Sequence, residues 1–380
     1  MKKLSIYTAV IFGLVLFVSG SVNAATDEIV IGCMYDITGT YSAMSKMERE
    51  GVDMAVSDIN ASGGLLGKQV RVIYEDNETK PEIAVRKAEQ LILRDKVDFL
   101  VAPVGSNETL AVMQIVKKYN KILMVSISQS TAITGINKNK QTFRVCANPS
   151  ITANALCKYM VSNSGKNVYM LTVDYAWGRS TSDMYHESLK ALNVNLLGET
   201  FFPLGTKDFA PYFGKIKEAK PDVLFITAAG NDGISAVTQA DQFGLNKDMA
   251  ISGDGSLISE DVLGAMGKSA NGIITADYYS ASLDTPENIK WATAYKKLYD
   301  AKASKFSVSS YEAVIWLAQA VKQASSTDTD KVISALEGST YHGPQGVKTM
   351  DPDSHQSSLT VYMIKIEDGA GKIFAVANTK

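Results

Sequence analysis

The apolar residues of this chain follow two alternating spacings. Short and nearly continuous apolar runs are typical of strands that are buried on both faces of a sheet. Between these runs, apolar residues recur at every third or fourth position, which predicts helices with one buried face. The predicted strands are residues 28–35, 70–74, 97–102, 122–127, 167–173, 222–228, 249–252 and 272–278. The predicted helices are residues 47–59, a segment beginning at Pro81, and residues 108–118, 180–192, 209–217, 233–243, 288–299, 309–324 and 330–336.

Strands and helices alternate along most of the chain, which is typical of mostly parallel sheets covered by helices. The cycle restarts after residues 142–147, so we predict an α/β fold with two doubly wound lobes. The end of the chain differs, because residues 359–366 and 372–376 predict a hairpin around a glycine turn. In doubly wound sheets the ligand binds beyond the carboxyl ends of the strands. The loops at those ends are therefore where we expect the chemistry.

The first 24 residues predict a secretory signal peptide. Lys2 and Lys3 precede an apolar segment, residues 4–18, and small residues end at Ala24. The apolar segment is shorter than the roughly 20 residues that span a bilayer. No cysteine follows where a lipid-carrying cysteine would stand. We therefore expect cleavage after Ala24 and export to the periplasm. The mature protein is expected to be neither a lipoprotein nor inserted directly into the membrane.

Composition and charge exclude several classes of protein. The chain has 380 residues, of which 46% are apolar and 21% charged, so it can bury a core and is not disordered. With 38 basic against 40 acidic residues the net charge is −2, so nucleic acid is not an expected partner. Three cysteines are too few for a disulfide scaffold. Cys146 and Cys157 either pair across a turn or pack as buried apolar side chains.

Sequence motifs for catalysis are absent. No glycine-rich dinucleotide fingerprint follows a strand, and neither a G-x-S-x-G elbow nor an H-E-x-x-H or C-x-x-C pair occurs. The run from Gly264 to Ser269 resembles a phosphate loop, but Val262 stands where its first glycine belongs, so we interpret it as a helix-ending turn. The three histidines lie far apart. We therefore predict no catalytic residue, no cofactor and no metal ion.

Polar side chains follow neighbouring strands in the first half of the chain. Tyr41 lies in the loop after the first strand, Ser106 and Asn107 follow the third, and a third group follows the fourth. Hydroxyl groups and unpaired backbone N–H groups at helix starts suit a carboxylate. Ordinary helix capping is the alternative. The third group consists of Ser128, Gln129 and Ser130.

The second half of the chain carries a different set of residues at its strand ends. Tyr175 and Trp177 follow residues 167–173 and suit the wall around an apolar ligand group, although Trp177 could equally pack in the core. Asn231 follows the next predicted strand. Asp254 stands between two glycines, where it could bind an ammonium group or serve as a turn aspartate.

Six short stretches have the order and spacing of a known family. They are residues 35–39 (YDITG), 58–64 (DINASGG), 174–178 (DYAWG), 207–209 (KDF), 220–223 (KPDV) and 353–356 (DSHQ). Across essentially the whole chain after residue 24, this set resembles the type I periplasmic solute-binding proteins of ABC importers. It is most similar to the leucine/isoleucine/valine-binding branch, which also contains binders of amides and aromatic acids.

The resemblance implies two lobes joined by three crossovers, near residues 145–148, 276–280 and 343–348. The first lobe would hold residues 25–146 and 279–344, and the second residues 147–278 and 345–380.

The resemblance also assigns roles to the strand-end residues. It implies that the ligand carboxylate binds Ser106 or Asn107 together with Ser128 and Ser130. It implies further that Asp254 binds an α-ammonium group. In the same scheme the remaining positions shape the apolar part of the pocket, Trp177 covering the ligand and Tyr41 or Met44 lining its side-chain end.

The function implied is the extracytoplasmic capture of a small carboxylate-bearing solute, an amino acid of the branched-chain kind or a relative, by a monomer that docks to a membrane permease. Alternatives are a binder of short amides or aromatic acids and a periplasmic sensor subunit with the same fold. A secreted enzyme is the least favoured hypothesis, because every motif tested for it is missing.

Overall fold

The computed structural model of the protein describes residues 28–377. The predicted signal peptide lies outside the described residues. The first segment alternates strands and helices and builds a five-stranded parallel sheet in the order β2-β1-β3-β4-β5. Its elements are β1 (Ile29–Tyr35), α1 (Ser42–Ala61), β2 (Val70–Asp76), α2 (Pro81–Leu93), β3 (Phe99–Val101), α3 (Ser106–Tyr119), β4 (Leu123–Val125) and β5 (Thr142–Arg144).

The second segment builds most of a seven-stranded sheet. Its elements are α4 (Pro149–Ser164), β6 (Asn167–Val173), α5 (Ala176–Ala191), β7 (Asn195–Phe202), α6 (Ala210–Ala219), β8 (Val223–Thr227), α7 (Gly230–Gln242), α8 (Leu245–Asp248), β9 (Ala250–Asp254), α9 (Glu260–Met266) and β10 (Ile274–Asp277). A short 3-10 turn follows α9 at Gly267–Ala270, so the run that resembles a phosphate loop does end a helix.

The last segment returns to both sheets. Its elements are α10 (Pro286–Tyr299), α11 (Lys305–Ala324), α12 (Thr329–Leu336), β11 (Thr340–Gly343), β12 (Gly346–Thr349), β13 (Val361–Glu367) and β14 (Ala370–Ala377). Helix α11 packs against α1 so closely that a Cβ atom on Gly51 would lie 2.0 Å from the Ser307 carbonyl oxygen. Strands β13 and β14 form the predicted hairpin and complete the second sheet in the order β14-β13-β10-β9-β8-β6-β7.

The prediction of an α/β fold with two doubly wound lobes is confirmed. The first lobe is the five-stranded sheet with α1–α3 and α10–α12, and the second is the seven-stranded sheet with its own helices. Apolar clusters lie on both faces of each sheet. No helix within residues 28–377 is both long enough and apolar enough to cross a membrane.

The chain passes between the lobes three times. The first two crossovers follow β5 and β10, where they were predicted. The segment predicted as the third crossover is instead the antiparallel hairpin of β11 and β12, and the predicted lobe boundary at residues 344/345 falls inside it. Tyr341 and Met350 belong to the apolar cluster of the first lobe, and Lys348 pairs with Glu312 of α11. The chain therefore leaves the first lobe only after Met350.

Two further differences from the predictions occur where residues are not buried in the core of a lobe. Strand β7 was not predicted, because it is an edge strand whose residues are mostly half-buried and lack a continuous apolar run. Helices α1, α5, α7 and α11 begin three to five residues before their predicted starts. Their first turns face the space between the lobes rather than the core of their own lobe, so the apolar periodicity does not extend to them.

The three cysteines, Cys33, Cys146 and Cys157, are all buried and free. Cys146 and Cys157 belong to different apolar clusters, so the interpretation as buried apolar side chains is the correct one.

Candidate functional site

A pocket lies between the two lobes at the carboxyl ends of their parallel strands. The space between its lining atoms is about 290 Å³ when its open mouth is included. Its lining residues come from both lobes and are Tyr41, Met44, Val104, Ser106, Ile127, Gln129, Tyr175, Trp177, Ala229, Ser256 and Phe306.

Five helices begin at the pocket. Tyr41, Tyr175 and Ala229 are the residues that precede α1, α5 and α7, and Ser106 and Phe306 lie in the first turns of α3 and α11. The first backbone N–H groups of a helix have no partner within the helix, and the helix dipole is positive at this end. Five such ends around one pocket favour an anionic ligand.

Aromatic side chains form one wall of the pocket. The Tyr41 hydroxyl donates to the Tyr175 hydroxyl at 2.6 Å, across the cleft, which leaves the Tyr175 hydrogen for another acceptor. Trp177 packs beside Tyr175 with ring centroids 5.8 Å apart. The Trp177 indole N–H is buried and has no hydrogen-bond partner among the described residues. Because Trp177 lines the pocket, this N–H is available to donate to an acceptor on a ligand.

A second cross-lobe contact has Ser256 at its centre. The Gln129 side-chain amide and the Lys305 ammonium, both from the first lobe, donate to the Ser256 hydroxyl oxygen at 3.1 Å each. Lys305 also pairs with Asp277 of the second lobe at 3.2 Å and is buried. Because two donors occupy the lone pairs of the Ser256 oxygen, its own hydrogen is left to donate.

The structure brings six of the eleven predicted site residues into the pocket wall, namely Tyr41, Met44, Ser106, Gln129, Tyr175 and Trp177. Ser128 and Ser130 are buried close by but do not line the pocket. The Ser128 hydroxyl donates to the Pro103 carbonyl at 2.6 Å, and the Ser130 hydroxyl bonds that of Ser180 in the second lobe at 2.9 Å. Both hydroxyls therefore position the cleft walls.

Asn107, Asn231 and Asp254 also lie outside the pocket wall. Asn107 accepts a hydrogen bond from the Ala176 backbone N–H at 3.1 Å, across the cleft, and Asn231 is exposed in the first turn of α7. Asp254 is buried and accepts from the Ser256 backbone N–H at 2.9 Å. Burial raises the pKa of Asp254 to about 6, and the nearby Lys305 opposes this increase.

Five lining residues were not predicted: Val104, Ile127, Ala229, Ser256 and Phe306. All but Phe306 lie directly after strands, so the rule that located the other loops could have found them. Lys305 had a signal as well, because a cation in the first turn of a helix opposes the helix dipole and needs a compensating partner. No local signal identifies Phe306, which reaches the pocket through the packing of α11. Within residues 28–377 no group of three or more potential ligands is arranged to hold a metal ion.

Two α/β lobes, three crossovers and a donor-rich pocket between the lobes define a two-lobe solute-binding protein. A family model described as "Periplasmic binding protein" matches residues 28–371. The chain therefore belongs to the periplasmic binding protein family, as the resemblance implied. Members of this family are not enzymes; they bind small solutes outside the cytoplasm and work with membrane permeases.

Relatives match along nearly their whole length. The chain is 22% identical to Leu/Ile/Val-binding protein homolog 6 of Brucella suis, over 97% of this chain and 95% of the relative. It is 26% identical to Leu/Ile/Val-binding protein BraC3 of Rhizobium johnstonii, over 92% and 94%.

Solved structures share the fold. An ABC-transporter solute-binding protein from Rhodopseudomonas palustris BisB5, in complex with 3,4-dihydroxybenzoic acid, superposes with a TM-score of 0.87 at 25% identity, over 93% of this chain and 98% of that one. A leucine-binding protein, LivK, from Thermotoga maritima superposes with a TM-score of 0.84 at 22% identity, over 92% and 99%.

Proposed function

We propose that this chain captures a small aromatic carboxylate between its lobes and delivers it to the permease of an ABC importer. The observation that supports this proposal most directly is the composition of the pocket wall. Five helix N-termini and several unpaired donors surround the pocket, while no carboxylate lines it among the described residues. An anion is favoured in such a wall, and an ammonium group has no counter-ion there.

The aromatic part of the proposal rests on the other lining residues. Tyr41, Tyr175, Trp177 and Phe306 offer ring faces and edges, and Met44 adds a flexible apolar contact. The donors on Trp177 and Ser256 suit ring substituents or carboxylate oxygens that accept hydrogen bonds. The structural relative with 3,4-dihydroxybenzoic acid supports the same class of ligand.

An amino acid is the second candidate, and Asp254 is the observation that favours it. This carboxylate is buried at the end of β9, two residues before the lining residue Ser256. Relatives named for leucine, isoleucine and valine also support this candidate. A rearrangement of the loop from Asp254 to Ser256 would be needed for the carboxylate to meet an ammonium group.

The cellular setting extends the proposal. Residues 1–24 would direct export and be removed after Ala24, which would leave a periplasmic monomer without a lipid anchor. A sensor subunit with the same fold would use the same pocket with a different membrane partner.

A ligand screen tests the proposal. The chain without residues 1–24 would be unfolded and refolded to remove any bound ligand, then melted with amino acids, short amides, urea, benzoates and cinnamates. A ligand at 100 times its Kd adds about 2.7 kcal/mol of stability. We expect benzoates or cinnamates to raise the melting temperature and free amino acids to leave it unchanged.

The variant Asp254→Asn distinguishes the two candidates. It should keep its affinity for an aromatic acid, because the side chain does not line the pocket. A response to leucine or another amino acid that disappears in Asp254→Asn would overturn the aromatic assignment and establish the ammonium role.

A further inference from the structure

Arg144 is a fully buried guanidinium at the end of β5, and its donors reach only uncharged acceptors. Nη1 donates to the Ser130 carbonyl oxygen at 2.6 Å and to the Ser128 carbonyl oxygen at 3.4 Å. Nε donates to the Gln356 side-chain oxygen at 2.6 Å, and Nη2 donates to the Thr134 hydroxyl at 2.5 Å. Hydrogen bonds thus satisfy most of the Arg144 donors, but these uncharged acceptors do not neutralise its positive charge.

No carboxylate lies within ion-pair distance of Arg144 in the part of the chain that the structure describes. The two buried lysines of the same region differ in this respect, because Lys305 pairs with Asp277 and Lys348 pairs with Glu312. Burial lowers the pKa of the Arg144 guanidinium to about 10, so the group still carries its charge at neutral pH. An unpaired buried charge is strongly unfavourable unless something outside the fold compensates it.

Arg144 lies directly behind a loop of the pocket wall. It binds the carbonyls on both sides of Gln129, a residue that lines the pocket. The C=O and N–H groups of a trans peptide point in opposite directions. The N–H groups that follow these carbonyls, on Gln129 and Thr131, therefore point away from Arg144. The Thr131 N–H confirms this geometry, because it donates to the Ser180 hydroxyl of the second lobe at 3.2 Å.

We propose that Arg144 is a positioning residue that makes the pocket select a carboxylate over the corresponding neutral amide. Its charge acts through the loop from Ser128 to Ser130, whose peptide dipoles it aligns towards the cleft, and the bound anion supplies the missing counter-charge. This inference rests on the anionic ligand of the proposed function. It holds for an aromatic acid and for an amino acid alike, because both present a carboxylate.

The test compares each acid with its amide by calorimetric titration. The pairs are benzoate with benzamide and leucine with leucinamide, measured on the unsubstituted protein, Arg144→Gln and Arg144→Lys. A unit charge about 8–10 Å away in an effective dielectric of about 20 alters affinity roughly 15- to 30-fold. We expect Arg144→Gln to bind the acid roughly 15- to 30-fold more weakly and to keep its affinity for the amide within about threefold. Arg144→Lys keeps the charge, so it should retain most of the preference for the acid over the amide.

Gln356→Leu is the structural control. It removes the acceptor of Arg144 Nε and leaves the charge in place, so any loss should affect acid and amide equally. Equal losses of acid and amide in Arg144→Gln would overturn the inference and leave a purely structural role. If Arg144→Gln does not fold, an Arg144→Lys variant that loses the preference despite its charge overturns the inference, and one that keeps it supports the inference.

The unsubstituted protein separates the two proposals. Failure to bind benzoate, leucine or any other carboxylate would overturn the proposed function together with this inference. Tight binding of both acid and amide with equal affinity would leave solute capture intact and overturn the role of Arg144 alone.

Discussion

The unpaired hydrogen-bond donors in the pocket wall indicate which chemical groups its ligand has. The indole N–H of Trp177 is buried without a partner among the described residues, and the hydroxyl hydrogens of Tyr175 and Ser256 are left over after their oxygens accept. An unpaired buried donor lowers the stability of the folded protein unless a ligand accepts a hydrogen bond from it. The donors therefore define a ligand rich in acceptor oxygens, as a carboxylate with ring hydroxyls would be.

Trp177→Phe tests this interpretation, because it removes the N–H and keeps most of the aromatic surface. A hydrogen bond to a charged acceptor contributes about 1.5–3 kcal/mol, so the affinity for the cognate acid should fall roughly 10- to 100-fold. The ligand-free protein should melt at the same temperature or slightly higher. Titration calorimetry and a thermal melt measure the two effects.

Trp291→Phe is the matched control. Trp291 also has a buried N–H without a partner among the described residues, but it lies in the apolar cluster around α10, away from the pocket. Its replacement should leave the affinity unchanged. Equal affinities in Trp177→Phe and the unsubstituted protein would show that the ligand does not use this N–H.

At the start of α3, beside the pocket, two electrostatic effects on one carboxyl group oppose each other. Glu108 lies in the first turn of α3, where the helix N-terminus and its own backbone N–H favour the charged carboxylate. Its side chain is nevertheless only 4% exposed, and burial favours the neutral acid. Burial is the larger effect and raises the pKa of Glu108 from 4.5 to about 7.

This shift predicts a pH dependence with a definite sign. The pKa of Glu108 is higher in the folded than in the unfolded chain, so its contribution to stability is full below pH 4.5 and is lost as the pH rises through about 7. Glu108→Gln stays neutral throughout. The free energy of unfolding of Glu108→Gln, relative to that of the unsubstituted protein, should therefore increase by up to about 3 kcal/mol between pH 4 and pH 8.

Urea unfolding at several pH values between 4 and 8 measures this gain. Glu287→Gln replaces an exposed glutamate in the first turn of α10 and should give a profile parallel to that of the unsubstituted protein. A constant difference between Glu108→Gln and the unsubstituted protein across this range would contradict the prediction.

Polar contacts around the pocket join the two lobes, together with apolar packing that involves Met44 and Phe306. They include the Tyr41–Tyr175 and Gln129–Ser256 hydrogen bonds and the Lys305–Asp277 ion pair. The Ser130–Ser180 contact lies outside the pocket wall. Binding stabilises the closed arrangement only through contacts that differ between the open and closed forms. Contacts away from the ligand should therefore influence affinity through closure.

Ser180→Ala tests the coupling between closure and affinity. It removes the partner of the Ser130 hydroxyl and of the Thr131 N–H without touching the pocket. Hydrogen bonds contribute about 0.5–1.5 kcal/mol each, and two are lost, so affinity should fall roughly 5- to 150-fold. X-ray scattering should show a more open average form.

Ser182→Ala is the control on the same helix. Ser182 is also buried, and within the described residues it makes no side-chain hydrogen bond to the first lobe. It should change neither affinity nor scattering. Unchanged affinity and scattering in Ser180→Ala would show that this contact does not contribute to closure.

The amino-acid sequence determined the strands buried within each sheet and the general location of the site. Strand β6 has the predicted bounds, Asn167–Val173, because a continuous apolar run leaves no alternative to burial. Parallel strands also fix which loops meet, so strand-end residues such as Ser106, Gln129 and Trp177 could be assigned to a common site in advance. Both inferences need only the local pattern of apolar residues and the rule that the carboxyl ends of parallel strands meet at one edge of the sheet.

The tertiary structure alone decided the directions of individual side chains and the contacts between distant segments. The Ser128 hydroxyl donates to the Pro103 carbonyl instead of facing the pocket. Phe306 lines the pocket from a helix that lies about 180 residues after Ser128 in the chain. The hairpin of β11 and β12 stays on the first lobe, where Lys348 pairs with Glu312. Such choices depend on packing and charge between residues far apart in sequence, which no local periodicity records.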